Sequence, residues 1–427
     1  MTVSTPPFRL GSVALPVYLP SLLFATGEGA IIPIIPIDAT RLGASLGLAG
    51  FIAALLTVGQ LLGDVPSGWI VARIGERPAM IASATAALIG LATCLLAPVP
   101  GVLAAGVLVI GLATSSFALA RQAFMTSFVP LSHRARALSL LGGMFRGGYF
   151  VGPFIAAGVI GLTGSTRAVF WVQVVASLIA IAVLLALPDP GPALAARRAT
   201  AAPAAAADPV ADEVSSAVAE PTRVGLAAAI WQFRGVLARM GLGAALIGGL
   251  RSSRQIILPL VAVSLHVPEG QTALIIGVAG AVDFALFFSS GQIMDRFGRL
   301  WSALPSMLGL GVGHLALAMT NSLPSAVGWF IGIAMFLSVA NGLGSGILMT
   351  FGADLAPRHD PAPFLGAYRF TGDAGNAAAP LAVAGLTAVF SLPVAAAAMG
   401  VVGLGGAVLL ARWVPRYIPT ATRPATT

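Results

Sequence analysis

Twelve apolar stretches, each long enough to cross about 30 Å of hydrocarbon, fill most of this 427-residue chain. They run at roughly 13–37, 46–72, 79–97, 102–128, 137–161, 168–187, 240–265, 271–294, 302–320, 325–353, 363–388 and 392–411. Inside lipid no water satisfies backbone N–H and C=O groups, so stretches of this length are expected as helices. Apolar residues make up 57% and charged residues 9%, where a soluble domain carries about half and a quarter. The chain therefore reads as an all-α integral membrane protein. The net charge of +8 belongs to its loops, where charge sets orientation, and no nucleic-acid partner is expected. Cys94 is the one cysteine and sits in an apolar run, so neither a disulfide framework nor a metal site is expected.

The spans divide six and six. Residues 1–187 form the first set and 224–427 the second, joined by a linker at 188–223 rich in Ala and Pro, whose lack of apolar periodicity marks it as flexible. After it, Leu226, Ile230, Phe233 and Leu237 recur at helical spacing, which suits either a short interfacial helix or an extension of the seventh span. All 23 basic residues are arginine, pointing to a GC-rich bacterial coding sequence. An even number of spans puts both termini on one side. Sixteen arginines fall there, including Arg9, Arg73, Arg77, Arg296 and Arg299, and two, Arg41 and Arg167, on the other. By the positive-inside rule both termini are expected in the cytoplasm, with the chain in the inner, cytoplasmic membrane.

A charged phrase is written twice. Gly291-Gln-Ile-Met-Asp295-Arg296-Phe-Gly298-Arg299 closes the eighth span, and Gly68-Trp-Ile-Val-Ala72-Arg73-Ile-Gly75-Glu76-Arg77 closes the second, 223 residues earlier. The same offset carries Glu28 and Pro36 onto Arg251 and Pro259, while an offset of 227 carries Pro130, Arg146 and Pro153 onto Pro357, Asp373 and Pro380. Preserved spacing argues for a duplicated unit, and paired repeats across a bilayer are how secondary transporters are built.

On these residues the chain resembles the major facilitator superfamily over essentially its whole length, and among its members the twelve-span drug:proton antiporters. The phrase at Gly291 matches the family's loop motif G-x-x-x-D-R-x-G-R. Gly148-x-x-x-Gly152-Pro153 is similar to the glycine-proline motif of the family's antiporters, with Ala156 and Ala157 in place of a usual glycine pair, and Pro33-x-x-Pro36 is similar to the proline pair of drug exporters. The resemblance implies two pseudo-symmetric six-helix bundles around a central cavity that rock between inward-open and outward-open states. It departs from the pattern at Ala72 and Glu76, which puts the cytoplasmic latch on Arg73, Arg77 and the intact second copy. Arg121 lacks the glycine that follows the family's fourth-span arginine.

Nine ionisable residues lie within or at the edges of the spans: Glu28, Asp64, Arg121, Arg146, Arg251, Arg254, Asp283, Arg369 and Asp373. Each costs roughly 2.5–3.5 kcal/mol at a bare helix centre, so they must pair or line a wet cavity and are candidates for proton coupling or substrate binding. Glu28 leads, because a carboxylate there can take up and release a proton as its surroundings change; the alternative is a structural ion pair between halves. Arg251 and Arg254, three apart, share a helix face, with Asp283 as a partner for one of them. Asp373 can pair with Arg369 along its own helix or with Arg146 across the bundles. Arg121 faces either the cavity or the cytoplasmic surface, and Asp64 can also lie near the interface. His314, Asn341 and the run Gly342-Leu-Gly344-Ser-Gly346 read as helix-packing features.

The leading expectation is a monomeric secondary transporter in the lipid bilayer, exporting small apolar or amphipathic compounds with protons as the coupling ion and no cofactor. An importer or exchanger of small organic anions is the alternative, suited by five intramembrane arginines against four carboxylates. An intramembrane enzyme or a receptor is more remote, since no metal-spaced cluster, nucleophile elbow or phosphate loop is present.

Overall fold

The computed structural model describes residues 17–129, 131–186, 226–357 and 362–418. The linker expected at 188–223 lies outside the described residues. Helices account for the regular structure among them: α1 Leu19–Ile31, α2 Ile35–Arg41, α3 Leu46–Ile74, α4 Glu76–Leu95, α5 Pro100–Phe128, α6 Leu131–Thr163 and α7 Phe170–Ala186 in the first half. The second half holds α8 Leu226–Gln232, α9 Leu242–Ser264, α10 Glu269–Phe297, α11 Leu300–Met319, α12 Ala326–Leu343, α13 Ile347–Leu355, α14 Ala362–Val389 and α15 Leu392–Tyr417. Eleven helical segments are long and apolar enough to cross a membrane. The twelfth expected span is α14, whose 28 residues carry Arg369 and Asp373.

Local chemistry sets the breaks. Pro33 and Pro36 donate no N–H, so the carbonyls of Gly29 and Ile32 lose their helical partners, and the first span yields between α1 and α2. Gly75 and Gly298, the glycines that end the two charged phrases, both take positive φ, +88° and +97°. Only glycine enters that region without strain, which is why the turn joining α3 to α4 and α10 to α11 is spelled alike. The tenth span is also broken. Gly346 turns left-handed at φ +83°, and the carbonyls of Leu343 and Ser345 are met by side chains from other helices, while that of Gly344 accepts from Ile347 N–H at 3.2 Å and from a side chain as well. The glycine run therefore does more than pack: Gly342 and Gly344 do lie tight against Leu286 and Ser306, but the run also interrupts the helix. The amphipathic segment after the linker forms α8 and ends at Phe233, which meets Phe364 edge-on at 5.2 Å.

Packing repeats between halves. In the first, α3 and α4 pack on α5, α1 packs on α6 and α7, and α4 on α7; in the second, α10 and α11 pack on α12, α9 on α14 and α15, and α11 on α15. The halves meet through α3 with α14 and α6 with α10, two contacts that the same symmetry exchanges.

Those contacts are closed at one end. Away from the termini, a Cβ on Gly47 would lie 2.7 Å from Ala388, one on Gly277 3.1 Å from Phe154, and one on Gly270 3.7 Å from Ile160. Arg41 and Glu269 bridge the halves there at 2.6 Å. Toward the termini, Arg369 and Asp373 of α14 border a cavity between the halves and keep 58% and 32% of their side chains exposed. The helices part at the end that carries the termini.

Candidate functional site

A cavity of about 490 Å³ opens between the halves, and a second of about 210 Å³ adjoins it. Thr57, Gln60, Phe145, Tyr149 and Asn376 line both. The first takes Arg146, Arg251, Arg254 and Asp283 into its wall; the second takes Asp64, Arg121, Arg369 and Asp373. Eight of the nine ionisable candidates thus border the two cavities, and the ninth, Glu28, lies just behind.

Glu28 is fully buried on α1. Gln60 Nε2 donates to its Oε1 at 3.0 Å, while Oε2 is buried without a hydrogen-bond partner. Tyr149 and Thr114 are its other polar neighbours, and Arg121 supplies the nearby positive charge. Arg121 turns inward: its guanidinium stands 4.1 Å over the Phe145 ring. The bridge between halves weighed for Glu28 is not formed, since Gln60 and Arg121 both belong to its own half.

α1 is held by glycines. A Cβ on Gly152 would fall 2.5 Å from Ala30 N and Thr26 O, one on Gly148 2.7 Å from Thr26 N, and one on Gly29 2.8 Å from Tyr149 Cα. Backbone therefore lies on backbone, the approach that small residues permit between membrane helices, and Glu28 sits one residue from that seam. Pro153 follows it within α6 and lines the larger cavity.

In the second half Asp283 Oδ2 accepts from Arg254 Nη2 at 3.3 Å and from Asn341 Nδ2 at 2.5 Å, and its Oδ1 accepts from Ser345 Oγ at 3.5 Å. Arg254 also donates to Ser338 Oγ at 2.8 Å. Of the two arginines offered to Asp283, then, Arg254 takes it. Arg251 instead donates to the Gly344 carbonyl at 2.5 Å, with its Nε buried and unpartnered. The neighbouring carbonyls freed by the break are met by serines: Leu343 O accepts from Ser290 and Ser302 Oγ at 2.8 and 2.5 Å, and Ser345 O from Ser290 Oγ at 2.6 Å.

Arg369 pairs with Asp373 at 3.5 Å and donates across the halves to Gln122 Oε1 at 3.2 Å. The alternative partner for Asp373, Arg146, is not there. Arg146 donates to Ser345 Oγ at 3.2 Å and lies 4.3 Å over the Phe287 ring, so it does cross to the other half, but onto the broken helix. Asp64 lies within electrostatic reach of Asp373 and Arg369, inside the cavity rather than at the interface.

The charged phrases act within their own halves in this conformation. Arg299 Nε meets Asp354 at 2.9 Å, and its Nη1 meets Asp295 at 3.2 Å; hydrogen bonding to Asp354 raises the Arg299 pKa above its ordinary value. Arg77 donates to the Leu184 carbonyl of α7 and Arg73 lies over Trp69. Arg296 stands over Phe297. A Cβ on Gly68 would meet Leu119 of the same half at 3.9 Å.

His314 serves packing as expected, with Leu310 O at 2.7 Å and Ser253 Oγ at 3.3 Å. Asn341 also ties two helices together, donating from α12 to Asp283 of α10, and it lines the larger cavity besides. Reading only ionisable groups also passed over Gln60, Tyr149 and Asn376. Gln60 is four before Asp64 and Tyr149 three after Arg146, so neutral polar residues one helical turn from a charge were the signal available.

Known structures share this architecture. The chain is similar to a D-xylose-proton symporter, at 16% identity and a TM-score of 0.72 over 97% of this chain and 100% of that one. It is similar to a POT family transporter in complex with 5-aminolevulinic acid, at 13% identity and 0.72 over 96% and 97%. A partially occluded inward open conformation of the xylose transporter XylE from E. coli aligns at 15% and 0.70 over 95% and 98%. Such identities establish the fold alone. Among curated protein sequences nothing matches. The Major Facilitator Superfamily model, however, matches residues 17–245 and again 240–427, one match per structural half. With the duplicated sequence, the repeated packing and the two shared cavities, that places this multi-pass membrane protein in a family of transporters: the chain belongs to the Major Facilitator Superfamily.

Proposed function

We propose that the chain exports small amphipathic compounds across the cytoplasmic membrane by alternating access, with Glu28 as the group that carries the coupling proton. The observation that carries this reading is the setting of Glu28: a fully buried carboxylate with Tyr149 and Thr114 beside it, tied through Gln60 to both cavities. Gln60 and Tyr149 touch Glu28 on one side and the cavities on the other, so cargo that displaces either changes the partners of the carboxylate. Moving Arg121 relative to Glu28 changes how well its charge is compensated, and proton affinity follows. A structural neighbour is named a proton symporter, which supports protons as the coupling ion. Export rests on the likeness of Gly148-x-x-x-Gly152-Pro153 to the antiporter motif. By the positive-inside rule the parted ends face the cytoplasm, so this conformation receives cargo from inside.

Everted and right-side-out vesicles, loaded with a substrate panel under an imposed pH gradient, test the reading. Substrate-dependent proton release from everted vesicles is expected for the wild type and its loss in Glu28→Gln. A Glu28→Gln protein that still couples flux to protons sinks the assignment, and uptake driven inward by protons reverses the direction.

A further inference from the structure

The larger cavity carries three arginines against one carboxylate, and that carboxylate is already spoken for. Asp283 holds Arg254 and accepts from Asn341 and Ser345. For hydrogen bonds Arg251 and Arg146 have only neutral partners among the described residues, a carbonyl of the broken helix for the first and a serine hydroxyl for the second, with a ring face against Arg146; Asp283 is the carboxylate within electrostatic reach of both. The hydrogen-bond acceptors of these two arginines belong to adjacent residues of the broken helix, Gly344 and Ser345, which brings the two guanidinium groups to the same part of the cavity. Arg251 also keeps its Nε buried with no acceptor. One carboxylate shared among three arginines leaves positive charge under-compensated in the cavity wall, and ionisable groups inside a membrane are tolerated where they pair or line such a cavity.

Part of the same wall is aromatic. Phe145, Tyr149, Phe150 and Phe284 line the same cavity, and the rings of Phe150 and Phe284 stack across the two halves at 5.8 Å. The volume, about 490 Å³, falls within the usual range for a small-molecule site. Guanidinium groups present parallel donors matched to the oxygens of a carboxylate, phosphonate or sulfonate.

We infer that this cavity binds a small organic anion, its acidic group held between Arg251 and Arg146 and its apolar body against the Phe150–Phe284 wall. The inference names the cargo class for the transport reading above and rests on it in taking this cavity as the cargo site. Arg254 is excluded from the direct contact because Asp283 occupies it.

Binding to the purified full-length protein separates charge from shape and needs no proton flux. The probes are benzoate, phenylphosphonate and benzenesulfonate, set against the neutral benzamide and the cationic benzylamine, with dissociation constants measured by calorimetry. At least one acid is expected to bind tenfold or more tightly than benzamide, with benzylamine weaker still. Arg251→Gln is expected to lose that tenfold preference, and Arg251→Lys, which keeps the charge without the fork, to retain part of it. The wild-type panel decides alone if the glutamine variant does not fold. Equal or better binding of the amide or the amine overturns the inference, as does silence from all three acids or an unchanged preference in Arg251→Gln. Should the acids fail while Glu28-dependent flux persists in vesicles, the cargo class falls and the transport reading stands.

Discussion

Replacing Gly152 with alanine adds one methyl group where α1 and α6 lie backbone to backbone. The new Cβ would sit 2.5 Å from Ala30 N and Thr26 O, atoms that cannot rotate away. Overpacking of this kind typically costs about 1–3 kcal/mol, whereas alanine in place of glycine within a helix gains about 1 kcal/mol in propensity. The control is Gly142→Ala on the same helix, where nothing lies within 4 Å of the new methyl. Both variants gain the same propensity, so the difference between them isolates the steric cost: about 1–3 kcal/mol, with Gly152→Ala the less stable. Denaturant unfolding of the detergent-solubilised proteins, followed by tryptophan emission, reads that difference. Because Glu28 sits on the displaced helix, Gly152→Ala should also lower proton-coupled flux while Gly142→Ala leaves it intact. Equal stability of the two variants would refute the claim that glycine sets the seat of α1.

Two further outcomes follow from contacts described above. Glu269→Gln removes one side of the Arg41 bridge at the closed end; an exposed pair contributes about 0.2–1 kcal/mol, so labelling of an Ile32→Cys probe from outside should rise by up to about fivefold, and buried Cys94 keeps the background low. Ser302→Ala leaves the Leu343 carbonyl with one serine donor instead of two, for an expected loss of about 0.6 kcal/mol and at most about 1.7, measured by unfolding; no loss would mean that the broken tenth span does not depend on this cap.

The frame of the molecule was legible because its signals are local or periodic. Eleven spans follow from length and hydropathy, and the repeated phrase carried the symmetry that the packing obeys and that makes α14 the twelfth. Eight of the nine charges border the two cavities and Glu28 lies behind them, in keeping with the cost of placing each in lipid. Pairing was less legible. Helical spacing found Arg369 with Asp373, since four residues bring two side chains together on one helix. It could not choose between Arg251 and Arg254 for Asp283, a matter of how α9 rotates against α10. The cross-bundle pair of Arg146 and Asp373 was drawn from symmetry, but symmetry relates positions without making them neighbours. The break at Gly346 was read as packing because glycine serves both ends, and only the carbonyls bound by Arg251, Ser290 and Ser302 tell them apart.

The surplus of arginine in the larger cavity bears on electricity as well as recognition. Moving one full charge through a membrane potential of 100 mV is worth about 2.3 kcal/mol. An empty carrier whose Glu28 has taken up its proton would hold five arginines against three ionised carboxylates at its centre, a net of two positive charges (5 − 3), and would be a voltage-sensitive body: a potential negative inside favours whichever conformation exposes those charges to the cytoplasm, to the extent that they share the field. A monoanion bound between Arg251 and Arg146 would halve that sensitivity and a dianion would abolish it. The resting potential would then hold the empty protein open inward, in the conformation with its outer ends shut, and loading would release it to turn.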